Sequence, residues 1–454
     1  MNNVAIELIL GLLIGLTGIF TFLKIRNNFE IFSTIDLAIW SNAAIFGFAP
    51  WISFYYGNHK LSDVSLYILL ETYGAVLFFI YGLFLMRAWT PKFKIKNGTQ
   101  EYLGGFLKVI TSFILFVDPT SMILFFIGTF FFQILFDLKA GFLSGINKST
   151  WVKLPYWLTS INMMIGLFKY ICVVWSVTSF LKGKNKLISM VILLSEFVFA
   201  LIYARREMAF FLVLIFIIYL INEKKVKFKF VIGALALIVF ANSFIFPLYL
   251  DIRIASYRFH YLSPLTKVSA IASYLITHPV LHTWGKRYAR NMSHRALIIR
   301  PIARILKKQN TQPLMMGRAI VRTLYWVVPK VFLDQKYLHR QPLQYIEHFY
   351  GMASRDRGVD WPFFGCADWG IPGAFFMGLL LGGLLVFLEK VSGLLFKMGN
   401  VFFSLCVFSA ALTIAFFFQT NLIADWIILR NVLILFILFK VFEWIKKQVK
   451  SRNK

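Results

Sequence analysis

The sequence predicts an all-α, polytopic integral-membrane bundle of about eleven transmembrane helices with a large helical loop on the extracytoplasmic side. Three observations predict it. Of the 454 residues 59% are hydrophobic and only 15% charged, with a mean hydropathy of +0.71; soluble domains carry about a quarter charged residues. Apolar runs of about 20 residues recur from end to end, each able to cross a ~30 Å hydrocarbon core as a helix. No short alternating segments of the barrel type stand out, and a helix satisfies its own backbone in lipid.

In order, the runs lie near 4–23, 37–56, 65–86, 104–134, 157–181, 187–203, 207–221, 231–250, 369–389, 401–419 and 426–445. The first lacks a basic leader and a small-residue cleavage site, so it reads as a retained helix. The fourth is overlong and contains Asp118-Pro119, which predicts a kinked or tilted helix, or a helix plus a re-entrant piece. Glu71, Lys108, Lys169, Glu196 and Arg430 fall inside runs. There they pair across the bundle or line a cavity.

Charge fixes the orientation. Basic residues follow the first (Lys24, Arg26), third (Arg87, Lys92, Lys94, Lys96), fifth (Lys182, Lys184, Lys186), seventh (Lys224, Lys225, Lys227, Lys229) and ninth runs (Lys390, Lys397), and they end the chain. With eleven runs all these loops share the cytoplasmic side, which places the N-terminus outside and the C-terminus inside. Lys139, Lys148 and Lys153 are a mild exception. The organisation is residues 1–250 with eight helices, 251–365 as a basic external loop domain, and 366–454 with three helices and a basic tail.

The loop at 251–365 holds 18 Lys/Arg against 5 Asp/Glu and six of the seven histidines. Its length predicts structure of its own. Ile298-Ile299, Ile302, Leu306, Ile320-Val321 and Leu324-Tyr325-Trp326 at helical spacing predict amphipathic helices lying on the membrane. The chain's excess of 48 basic over 20 acidic residues, at this hydropathy, points to anionic headgroups or phosphorylated substrates and away from nucleic acid. Cys172, Cys366 and Cys406 form no C-x-x-C, which argues against a disulfide framework or a zinc site.

Four groups of residues could carry chemistry. Arg205-Arg206 joins two short runs, so it lies at or below the outer interface, where a charge faces inward or snorkels. Arginine grips phosphate in a bidentate fork and keeps its proton. Arg287, Arg290 and His294 follow i, i+3, i+7, with Arg295 beside them. This cluster suits a pyrophosphate or rests on anionic lipid. His294 and His348, each with charged neighbours, are candidate bases for an acceptor hydroxyl. In Asp360-Trp361-Pro362-Phe363-Phe364-Gly365-Cys366-Ala367-Asp368-Trp369-Gly370-Ile371-Pro372-Gly373, Pro and Gly set the chain's re-entry into the ninth run. Asp360 and Asp368 could also orient an acceptor sugar, with Trp361 and Trp369 stacking on it.

The Arg205-Arg206 turn, the long external loop and the Gly-rich re-entry together resemble the O-antigen (Wzy-type) polymerases. Ala204-Arg205-Arg206-Glu207 stands where that family has a Gly-Ser-Arg-Gly-like turn, without the glycines. Gly317-Arg318, Val327-Val328-Pro329-Lys330 and Arg340-Gln341-Pro342 fit later elements loosely. Trp369-Gly370-Ile371-Pro372-Gly373 matches an aromatic-Gly-x-x-Gly entry. The resemblance implies a metal-independent, glycosyltransferase-C-like hexosyltransferase of O-antigen and lipopolysaccharide biosynthesis at the bacterial inner membrane, with no cofactor. It implies an undecaprenyl-pyrophosphate-linked oligosaccharide as donor and acceptor, and a chain-length regulator protein as a further partner. Arg205, Arg206, Arg287, Arg290 and Arg295 would then bind pyrophosphate, and His294, His348 or Asp360 would serve catalysis. An O-antigen ligase uses the same donor, and His348-Phe349-Tyr350-Gly351 is the closest approach to its motif. A lipid-linked-glycan transporter would show an internal repeat, and none is found. A scaffold whose loop only binds anionic lipid is the remaining alternative.

Overall fold

The computed structural model describes residues 3–27, 33–55, 64–89, 93–94, 100–101, 117–140, 156–202, 248, 251–252, 255, 258–259, 262–277, 299–328, 341–352, 360–398, 400–416 and 422–452. Among them the chain is helical apart from one antiparallel pairing of two residues each, β1 (Phe93–Lys94) with β2 (Gln100–Glu101). Among the described residues four helical stretches are long and apolar enough to cross a membrane: Asn3–Lys24, Leu66–Ala88, Pro119–Phe136 and Trp361–Lys397. The runs at 207–221 and 231–250 lie outside the described residues, except for Leu248; helices coincide with the other runs, in the fourth from Pro119 onward.

The chain divides into two compact units, residues 1–25, 31–103 and 292–454 in one and 26–30 and 104–291 in the other. The first contains α1 (Asn3–Asn27), α2 (Thr34–Tyr55) and α3 (Leu66–Ala88). In the second follow α4 (Pro119–Ala140), α5 (Tyr156–Leu181), α6 (Lys186–Ile202) and α7 (Pro264–Thr277). The first resumes with α8 (Ile299–Gln309), α9 (Arg318–Val327), α10 (Pro342–Phe349), α11 (Trp361–Lys397), α12 (Val401–Phe416) and α13 (Leu422–Arg452).

In the first unit α11 is the centre, packed between α3 and α12, with α2 against α3 and α12. The α3–α11 contact is made backbone to backbone. A Cβ on Gly82 would stand 2.6 Å from the Phe375 carbonyl oxygen, and one on Gly378 would run into the Phe79 carbonyl oxygen. One turn on, a Cβ on Gly382 would stand 2.6 Å from the Met86 side-chain Cβ, so the two helices run parallel. Helices in lipid gain little from burying apolar surface. Small residues that admit close dispersion contact supply the attraction instead.

At one end of this unit a polar cluster ties three segments. Arg87, at the end of α3, donates at 2.8 Å to Asp36 in the first turn of α2. Glu389 of α11 accepts from the hydroxyls of Ser33 at 2.8 Å and Thr34 at 2.6 Å. The loops after the first and third runs and the stretch around Lys390 therefore share an end, as the charge pattern requires. At the opposite end Asn3 donates to the Val64 carbonyl at 3.1 Å.

In the second unit α4, α5 and α6 pack together. Asp118 begins α4, its carboxylate accepting from the Ser121 N–H at 3.0 Å. Asp118-Pro119 is thus a helix start: Pro has no N–H to lose in the first turn. Lys169 of α5 and Glu196 of α6 form an ion pair at 3.5 Å, each side chain 2% exposed. Lys169→Met alone leaves a buried charge and is expected to cost about 3–5 kcal/mol. Lys169→Met with Glu196→Leu is expected to lie within about 1 kcal/mol of the parent. Thermal melting of the detergent-solubilised protein distinguishes the two.

Candidate functional site

The site is built where α8, α9 and α10 meet the start of α11, at the end of the first unit opposite Arg87 and Glu389. α8 turns Ile299, Ile302, Ile305 and Leu306 inward onto α3 and α11 and leaves Lys307 and Lys308 exposed. This amphipathic period follows from apolar residues at i, i+3, i+6 and i+7.

The first eight residues of α11, Trp361 to Asp368, are helical and buried throughout. Pro362 in the first turn suits a helix start. The helix then breaks: Trp369 has φ −137° and ψ 20°, and Gly370 has φ 64° and ψ −148°. Only glycine visits that last region without strain. The chain folds back so sharply that Gly365 and Gly373 touch through their backbones, although eight residues of straight helix would separate them by about 12 Å. The sequence reading begins the ninth run at 369 and treats 360–368 as connection. The structure adds a short buried helix ahead of the break. From Leu66 to Gly82 α3 rises about 24 Å, whereas from Gly370 to its partner Gly378 α11 rises about 12 Å. The break therefore lies about 12 Å along the helix axis from the Leu66 end of α3.

The short helix is held by its own end. Its last carbonyls, which have no partner inside the helix, find them on three neighbours. Met316 N–H donates to the Asp368 carbonyl at 2.9 Å and Met315 N–H to that of Ala367 at 3.2 Å. The Tyr350 hydroxyl also donates to Ala367, at 2.7 Å, and the Gln309 amide donates to Cys366. Burial pushes the Tyr350 hydroxyl above its usual range.

The Asp368 side chain completes the clasp. Its carboxylate accepts from the N–H groups of Ala319 at 2.9 Å and Ile320 at 3.0 Å, and from that of Gly317. It caps α9 from outside, where Gly317, at φ 87°, has no side chain to do so. An anion at a helix N-terminus is favoured by the unpaired N–H groups and the helix dipole. A Cβ on Gly317 would stand 3.3 Å from the Trp369 ring. The two stretches Gly317-Arg318 and Trp369-Gly370, separated by about 50 residues of sequence, thus become one structure. Arg430 of α13 donates at 2.8 Å to the Val327 carbonyl at the end of α9. Arg322 lies over the Tyr345 ring of α10 at 5.3 Å.

Of the residues singled out from sequence, His348 is exposed near the end of α10. Asp360 precedes α11 and is 4% exposed, with neither carboxylate oxygen hydrogen-bonded. Burial, and next to it the Asp425 carboxylate, push it well above the usual carboxylate range. Asp425 itself accepts from the Trp361 indole at 2.8 Å, so Trp361 faces protein. Because burial holds Asp360 well above the usual carboxylate range, Asp360→Asn imitates its protonated form in shape and charge. The variant is expected to melt within about 1 kcal/mol of the parent, and to flatten any loss of stability as pH rises from the ordinary carboxylate range toward neutrality. Melting the pair at pH 5 and 8 measures it. Arg205, Arg206, Arg287, Arg290, His294 and Arg295 lie outside the described residues.

Sequence reasoning missed Asp368 as a cap and Gln309 and Tyr350 as supports. Gln309 and Tyr350 carry no local signal, since their partners are distant in sequence. Lys267 of α7, in the second unit, was also missed: it is 1% exposed with no hydrogen bond to its amine, and burial pulls its pKa down to about 8. Among the described residues no three His, Cys, Asp or Glu side chains gather where they could hold a metal ion.

Fold and site together define, among the described residues, a helical chain with helices long and apolar enough to cross a membrane and a basic, clasped helical cap at one end of its first unit. Compared with protein-family models, with curated proteins and with solved structures, the chain matches none.

Proposed function

We propose that the protein polymerises lipid-linked oligosaccharide repeat units at the outer face of the bacterial inner membrane, as the O-antigen polymerases do. The growing glycan leaves undecaprenyl pyrophosphate and joins the acceptor sugar hydroxyl of another lipid-linked unit. The bond from the donor sugar to the pyrophosphate oxygen breaks and a glycosidic bond forms. The hydroxyl proton passes to a base, for which His348, exposed at the cap, and His294 are the candidates. Negative charge grows on the departing pyrophosphate, and fixed cations facing it lower the barrier. Arg205, Arg206, Arg287, Arg290 and Arg295 are assigned that work, metal-independently.

The observation that carries this reading is the clasp, which joins two of the stretches on which the resemblance rests. It does so about 12 Å along the axis from the Leu66 end of α3, a depth at which, with that end outward as proposed, a lipid headgroup is reached sideways. The surrounding stretch 299–328 has six basic residues and no acidic one. The N-terminus outside and the C-terminus in the cytoplasm belong to the same proposal.

The test is purified protein with a lipid-linked repeat unit, run on a gel with EDTA present. A ladder of polymers that survives chelation is expected. Unreacted repeat unit alone, from a verified cognate substrate, rejects the reading.

A further inference from the structure

Around the clasp runs an apolar edge that the reaction itself leaves unused. Met316 adopts a left-handed backbone at φ 52° and holds its side chain 69% exposed. Val321 and Leu324, one turn apart on the outward side of α9, are 66% and 43% exposed. In water that side of an amphipathic helix would be polar. The edge continues through Gly317 to Trp369, whose ring meets that of Phe376 edge-on at 6.4 Å. Phe376 is 54% exposed and opens a stripe of exposed apolar residues down α11. From Trp369 to Phe387 this stripe is about 27 Å long. At its upper end stand Arg318, Lys307 and Lys308, all exposed.

A long apolar track with a cationic end fits a ligand with a long hydrocarbon chain and a strongly anionic head. The cations favour a diphosphate, which carries more charge than a phospholipid's single phosphate. The track is also pre-organised, because the clasp fixes Met316 and Trp369 before any ligand arrives. We propose that the edge from Met316 over Trp369 and Phe376 along α11 seats the isoprenoid chain of a polyprenyl diphosphate lipid, with Arg318 at its head. This rests on the polymerase reading and deepens it.

The test uses the full chain in phospholipid nanodiscs with a polyprenyl diphosphate carrying a photoreactive diazirine on its chain. Adducts are expected on the peptides holding Met316 and Trp369–Phe376, competed by unlabelled undecaprenyl pyrophosphate and not by phosphatidylglycerol. Arg318→Gln and Arg318→Glu are expected to lower labelling there roughly tenfold. Competition by phosphatidylglycerol would mark a bulk-lipid surface. Adducts spread equally onto the exposed Leu124 and Phe131 of α4 would do the same, and either result overturns the seat. A polymer ladder with such spread adducts removes the seat and keeps the polymerase. Competed adducts at Met316 without a ladder do the reverse.

Discussion

Asp368→Ala is expected to destabilise the first unit by about 2–3 kcal/mol, the cost of losing a charge-assisted cap and leaving buried N–H groups unpaired. The carboxylate accepts from Gly317, Ala319 and Ile320 at once, and the protein offers no other acceptor from α9's own sequence, since its cap position is a glycine. Asp368→Asn keeps one acceptor oxygen but loses the charge, so about half that effect is expected. The readouts are thermal melting and limited proteolysis between α8 and α9. If the clasp also shapes the site, both variants shorten the polymer ladder in the same order. Equal melting of Asp368→Ala and the parent would mean the clasp is incidental.

Comparably large effects are expected at the backbone crossings, with a built-in control. Gly378→Ala places a methyl on the Phe79 carbonyl, and Gly365→Ala places one on the Gly373 backbone. Neither obstacle is a flexible side-chain tip, so whole helices must shift, at about 1–3 kcal/mol or more. Gly74→Ala, in α3 with nothing within 4 Å of the new methyl, is expected to be neutral or to stabilise by up to about 1 kcal/mol through helix propensity. Expression level and melting temperature rank the three. Similar values for all of them would contradict the packing described for α3 and α11.

How much of this was legible in the sequence follows from the range of the interactions. Helices with a strong hydropathy signal, such as α1, α3 and α5, begin and end within a few residues of their predicted runs because the signal is local. Asp118-Pro119 reads from sequence either as a kink in one long helix or as the junction between a helix and a re-entrant piece. Its carboxylate turns out to cap a helix start, a choice that composition leaves open. The short helix at Trp361–Asp368 was hidden because its apolar residues, its proline and its glycine also fit a connection. Only the packing of Gly365 on Gly373 decides between them. Lys169 and Glu196 were each visible as charges inside runs, and pairing across the bundle was one expectation for them. Asp360 and Asp368 looked alike from sequence, yet one is buried with neither carboxylate oxygen hydrogen-bonded and the other caps α9 through its backbone N–H groups. That difference lies in neighbours contributed by α9 and α13, far along the chain. Trp369, a candidate stacking surface for sugar, has its ring close against Gly317, a contact that its place in the sequence does not announce.

The central claim is that the basic cap around α8 and α9 faces the side opposite the cytoplasm. The described native cysteines, Cys172, Cys366 and Cys406, are all buried, so single engineered cysteines can report sidedness against a low background. Lys307→Cys and Lys397→Cys place a thiol on exposed positions at opposite ends of the first unit. Treated with a membrane-impermeant maleimide in intact spheroplasts, Lys307→Cys is expected to label and Lys397→Cys to stay unlabelled until the membrane is broken. The reverse pattern would put the cap in the cytoplasm and contradict the account.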